Sequence, residues 1–119
     1  MKKWFLIFFS SLFFLNCPDP HPDDWFVTVE NNTNYEINAT LEWSNQNLET
    51  SLILSNNEYT FIRPDAPNNK WPSQVINYIV IKNQSDVELM NLQGEAINNA
   101  LIFVDEDSRR RYYLLEVND

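Results

Sequence analysis

The sequence predicts an all-β domain, a small immunoglobulin-like β-sandwich of seven or eight strands, and three observations carry that prediction. From Trp25 onward apolar residues recur with period two, the mark of strands with one face on a core and one in water. Polar clusters interrupt these runs roughly every 8–12 residues, the turn spacing of a sandwich. No segment shows ten residues of helical period.

The elements follow in order. Trp25, Val27 and Val29 alternate with Thr28 and Glu30 in a first strand. The clearest run is Tyr35–Trp43, in which every odd position is apolar and every even one polar, so Leu41 is expected to face the core. Further candidates are Leu48–Leu54, Glu58–Arg63, Gln74–Lys82, Val87–Leu92, Ala100–Val104 and Arg110–Val117. Val75–Ile81 is apolar on both faces except at Asn77, which predicts a central strand. Glu95–Asn99 has room for a single helical turn. Gly94 is the only glycine and about one residue in seven is asparagine, so asparagine is read as the turn former, through its tolerance of positive φ.

Ahead of this domain stands a stretch of another kind. Lys2 and Lys3 precede a twelve-residue apolar run, Trp4–Leu15, closed by Asn16-Cys17. A basic start and a short apolar run form the pattern of an export signal. A spanning helix needs about 20 apolar residues, so the run is too short for a stable membrane span. The single cysteine of the chain sits where a cleavage site belongs. With Leu15 and Cys17 in place, the stretch resembles a bacterial lipoprotein signal. That resemblance implies removal of residues 1–16, lipidation of Cys17, and a cell-envelope protein held by lipid, at the outer membrane and with surface exposure open to it. Residues 17–24, with prolines 18, 20 and 22 alternating, read as a stiff acidic tether of roughly 20 Å. The tether is either a solvated spacer or a surface-export signal. Residues 25–119 form the domain.

Composition narrows the function. Loss of Lys2 and Lys3 with the signal takes the formal charge from −9 to −11. Such a chain repels phosphate backbones, so no nucleic-acid partner is expected. The lone histidine, His21, lies in the tether, and the lone cysteine serves the anchor. The inventory therefore lacks Ser-His-Asp and Cys-His constellations and a His/Cys zinc cage. Glu36 and Glu42 fall on the solvent face of a strand, where solvation explains them better than acid–base chemistry. No enzyme, cofactor or metal site is expected.

Three stretches remain as candidates. Asp105-Glu106-Asp107 offers oxygens to calcium but lacks the Asp/Asn-x-Asp-Gly frame of a known loop. The preferred reading is an acidic hairpin tip neutralised by Arg109-Arg110-Arg111. The sequons at Asn31, Asn38 and Asn83 carry no weight in a chain so rich in Asn, Ser and Thr. Pro64–Ser73 is the longest stretch without strand pattern and contains Trp71. Trp71 is a candidate anchor for a protein or glycan partner. The expectation, however, is that it plugs the open end of the sandwich. The functional expectation is a non-enzymatic binding or assembly module in the envelope. The alternative is an inhibitor or immunity lipoprotein that neutralises an envelope-targeting enzyme.

Overall fold

The computed structural model describes residues 23–67, 71–107 and 109–119. The lipoprotein signal, Cys17 and the tether through Pro22 lie outside the described residues. Eight strands and two short helices follow one another: β1 (Asp23–Asn31), β2 (Ile37–Trp43), β3 (Leu48–Ile53), β4 (Glu58–Ala66), α1 (Pro72–Val75), β5 (Ile76–Asn83), β6 (Glu88–Gln93), α2 (Glu95–Ala100), β7 (Ile102–Asp107) and β8 (Arg110–Val117). They form two four-stranded sheets, with strand orders β4-β1-β8-β7 and β3-β2-β5-β6. The molecule is a β-sandwich, as the sequence predicts. β1 begins at Asp23, two residues ahead of the expected Trp25, because Asp23 is itself drawn inward and paired.

Alternation decides which side chains meet between the sheets. In the first sheet Trp25, Val27 and Val29 of β1, Phe61 of β4, and Tyr113, Leu115 and Val117 of β8 point inward and are buried. In the second, Ile37, Ala39, Leu41 and Trp43 of β2 meet Ile76, Ile79 and Ile81 of β5. Leu41 is fully buried and its neighbour Thr40 half-buried, as the period predicts. β5 is central, with β2 on one side and β6 on the other.

The pairing across sequence is less local than the hairpins suggest. β1 and β8 run parallel, with Val27 opposite Tyr113 and Asn31 opposite Val117. β1 also pairs with β4 in antiparallel register. Asn31, at the end of β1, is wholly buried: its amide donates to the Tyr35 and Ile53 carbonyls at 2.8 and 3.0 Å and its Oδ1 accepts from Thr33 N. A buried amide of this kind ties the β1–β2 crossover to β3, since each unpaired polar atom would cost about 1–3 kcal/mol.

The turns differ from the expectation in mechanism. Among the described residues positive φ is adopted by Gln46, Asn56, Asp65, Asp86 and Gly94, only one of them an asparagine. Asparagines shape turns through their side chains instead. Asn45 Oδ1 accepts from Asn47 N, and Asn83 Oδ1 accepts from both Ser85 N and Val87 N. These are side-chain mimics of a turn carbonyl, open to Asn and Asp at ordinary φ.

One end of the sandwich is closed by the helices. Pro72 and Val75 of α1 are buried, as are Ile97 of α2 and Leu101 just beyond it. Ser73 N donates to Asn98 Oδ1 at 2.9 Å and links the two helices. α2 occupies the single helical turn foreseen at Glu95–Asn99, extended by one residue. The sequence reading does not contain α1: Pro72 at the first helical position starts it, and it shortens the strand expected from Gln74.

Candidate functional site

The site is best approached through the sheet edges, where backbone groups lack partners. Four strands are edges: β3, β4, β6 and β7. Folded proteins protect such edges with charges, prolines, bulges or covering elements. On β3 the carboxylate of Glu49, opposite inward-facing Leu41, accepts from the Trp43 indole at 2.6 Å. On β4 the inward-facing Arg63 and the following Pro64 do the same work. β6 places Glu88, Asn91 and Gln93 among its apolar residues.

β7 is divided in two. Its second half, Asp105-Glu106-Asp107, is acidic, and a bulge separates Phe103 from Asp105 in the pairing with β8. Apart from that bulge, which falls at Val104 itself, its first half carries no charge and no proline. Ile102, Phe103 and Val104 are consecutive, large, apolar and 46, 52 and 58 % exposed. No other described strand presents three such residues in a row.

The strand stands between two hollows. On the inner side, Trp71, Leu101, Phe103 and Tyr113 line a groove of about 340 Å³, with Asn98, Glu106 and Arg111 supplying polar groups. Phe103 and Tyr113 meet edge to face with ring centroids 5.7 Å apart. Tyr113 in turn stacks on buried Trp25 at 4.9 Å, which gives the groove a rigid aromatic floor. On the outer side, Val104, Asp105, Asp107, Tyr112, Leu114, Thr28, Glu30 and Glu58 border a hollow of about 520 Å³. Phe26 and Tyr112 stack across β1 and β8 on this face, at 5.0 Å.

Charge is distributed unevenly over this outer face. Glu58, Glu30 and Glu116 sit side by side across β4, β1 and β8. Like charges directly opposite one another on a sheet are unfavourable for stability, so this row has a cost that folding alone does not explain. Asp24, Asp105 and Asp107 add further carboxylates, with Arg109 and Arg110 as cations at that end. Arg110 and Asp107 approach only to 3.9 Å and are both exposed. The three acids thus lie within β7, paired with β8, and not at a hairpin tip as the sequence suggests, although Arg110 and Arg111 partly neutralise Asp107 and Glu106.

Arg111 belongs to the inner side. Its Nε donates to Asp23 Oδ2 at 3.1 Å, Nη2 lies 3.5 Å from Glu106 Oε2, and its guanidinium sits 5.8 Å from the Trp25 ring. Burial tends to lower its pKa, but the hydrogen bond to Asp23, with Tyr113 and Glu106, raises it overall. Arg63 has no such carboxylate among the described residues. It donates to Ser44 Oγ at 2.8 Å, and desolvation lowers its pKa. Both remain cations at any working pH.

Trp71 is not the plug. It is 58 % exposed and stands between the groove and a second hollow of about 360 Å³ lined by Ser73, Gln74, Glu95 and Asn98. Pro72, Val75, Ile97 and Leu101 close the end of the sandwich in its place. The Trp71 backbone is engaged locally: its N–H donates to Gln74 Oε1 and its carbonyl accepts from Gln74 N. Cys17 lies outside the described residues. Among those described, no three His, Cys, Asp or Glu side chains converge as a metal site would require.

Trp71 and the acidic stretch stand out in the sequence, whereas the β7 edge that carries those acids and faces Trp71 across the groove does not. Ala100–Val104 reads as an ordinary short strand, and nothing local marks it as terminal in its sheet. No family model, curated protein or solved structure matches the chain.

Proposed function

We propose that this protein is a non-enzymatic binding or assembly module of the cell envelope, carried on a lipidated Cys17, and that β7 with its two flanking hollows is the working surface. The observation that supports this most is the exposed run Ile102-Phe103-Val104 on an open edge. Such an edge accepts a partner's extended segment by main-chain hydrogen bonding, while pockets on either side select its side chains. Trp71 and Phe103 give the groove two aromatic contacts of the kind that dominate binding energy.

The test compares two edges. Lysine on an edge strand blocks strand addition. Val104→Lys should lose capture of the native envelope partner, and Leu52→Lys on β3 should keep it. Retention by Val104→Lys overturns the assignment of the surface. The anchor has its own test. Each buried methylene contributes about 0.8 kcal/mol and a single chain binds only reversibly, so a multiply acylated cysteine holds firmly. Cys17→Ser should move the protein from the membrane to the soluble fraction. A variant that stays with the membrane after a high-salt wash has another anchor.

One observation favours the second reading, an inhibitor or immunity protein. The outer hollow is acidic and contains the aromatic Tyr112, which suits a basic target such as a cell-wall hydrolase. Inhibition of such a hydrolase by the wild type, relieved by Tyr112→Ala, would select that reading.

A further inference from the structure

We infer that the occupant of β7 is a short extended segment in which large apolar residues alternate with lysine or arginine, the apolar set entering the Trp71–Phe103 groove and the basic set lying over the acidic outer hollow. The inference rests on the proposed reading of β7 as the docking edge, and it names the chemistry of the partner.

Successive side chains of a strand point to opposite faces of its sheet. A strand added beside β7 therefore presents one set of side chains to each hollow. The two hollows differ in character. The groove side offers Trp71, Leu101, Phe103 and Tyr113, and its charges, Glu106 and Arg111, already face each other at 3.5 Å. A large apolar side chain is what that side takes. The outer side offers Val104 next to Asp105 and Asp107, with Glu30 and Glu58 across the hollow. A Lys or Arg stem covers Val104 while its head reaches these carboxylates.

The edge also selects against a second copy of this chain. In-register parallel pairing of β7 with itself sets three acids against three acids, and antiparallel pairing over its full length sets the apolar half against the acidic half. A chain of formal charge −9, more negative still without Lys2 and Lys3, adds general repulsion. The bulge after Phe103 limits regular pairing to a few residues on either side, so the segment is short.

The experiment uses the full chain in phosphatidylcholine nanodiscs, with empty nanodiscs as blank, and three labelled eight-residue peptides. One alternates Phe or Leu with Lys, one replaces each Lys by Glu, and one keeps the Lys peptide's composition in two blocks. Anisotropy gives affinity, and hydrogen exchange locates the backbone amides that become protected. The alternating Lys peptide should bind at least tenfold tighter than the other two and protect residues 102–107. Val104→Lys should weaken it tenfold or more, whereas Leu52→Lys should not. Asp105→Asn with Asp107→Asn should bring the Lys and Glu peptides toward equal affinity. Equal binding of the three peptides, protection elsewhere, or no binding overturns the inference. If it falls while Val104→Lys still abolishes native capture, β7 remains the docking edge for a segment of other chemistry. If native capture survives Val104→Lys, both readings fall.

Discussion

β3 and β7 are each six residues long, and each ends a four-stranded sheet, yet they treat their free edges in opposite ways. β3 interleaves its exposed leucines with polar residues. Leu48 and Leu52 alternate with Glu49 and Ser51, Glu49 is tied to the Trp43 indole, and Thr50 hydrogen-bonds Thr40 at 3.2 Å. β7 puts its apolar residues together and its charges together. In the proposed reading the apolar run seats a partner, and Asp105 and Asp107 on the outer side select its charge, Glu106 being paired with Arg111. The difference teaches that exposed hydrophobic area alone does not mark a site. Leu52 and Val104 are almost equally exposed, 55 and 58 %, but Leu52 is followed by buried Ile53, whereas Val104 ends a run of three exposed apolar residues beside two hollows.

The largest effect should come from neither edge. If stability resides in the layer between the sheets, Leu41→Ala should lower the unfolding free energy by about 2–5 kcal/mol. Thr40→Ala, one residue away on the outer face, should cost well under about 1. Urea melts of the two variants measure this, and equal costs would mean that β2 is turned over.

The next effect concerns the tryptophans behind the two edges. Trp43 donates to Glu49 at 2.6 Å, so Trp43→Phe should cost about 1–3 kcal/mol through a carboxylate left without its partner. Trp25 is fully buried with an indole N–H that meets no acceptor among the described groups. Trp25→Phe removes that orphaned donor along with some apolar area, so it should cost less than Trp43→Phe. The opposite order in a denaturant series would show that Trp25 Nε1 is bonded in solution, by an ordered water for example.

How much of this was legible in the sequence follows a physical line. Strands with one wet face announce themselves through period two: Tyr35–Trp43 and Arg110–Val117 fall where the alternation puts them, to within two residues. Pairing partners do not, since the parallel contact of β1 with β8 joins residues far apart in sequence and leaves no local trace. Edge status, and with it the site, depends on that pairing. Trp71 illustrates the same limit. Composition marks it as a large apolar residue in a proline-bounded stretch, but whether it is buried depends on α1 and α2, which supply Val75, Ile97 and Leu101 first.

Trp71→Ala should therefore cost about 1 kcal/mol or less, in contrast to the 3–5 kcal/mol of a buried aromatic. A thermal melt distinguishes the two values easily. Partner capture should fall even though the melting temperature holds, because the groove loses one of its two aromatic walls. A drop in melting temperature of many degrees would restore the plug.

The smallest change in stability, and the sharpest contrast between the edges, comes from placing one lysine on each. Val104→Lys and Leu52→Lys are surface substitutions and should each stay within about 0.5 kcal/mol of wild type. Their association behaviour should differ. Charge repulsion keeps copies apart at low ionic strength, but at 1 M salt the screening length falls to about 3 Å. A chain trimmed to residues 23–119 should then self-associate through the apolar half of β7, which sedimentation detects as a salt-dependent rise in mass. Val104→Lys should abolish the rise because a lysine now stands in the run, and Leu52→Lys should leave it intact because β3 stays guarded by Glu49. If Leu52→Lys is the variant that stays monomeric, the open edge is β3, and the contrast drawn between the two strands is reversed.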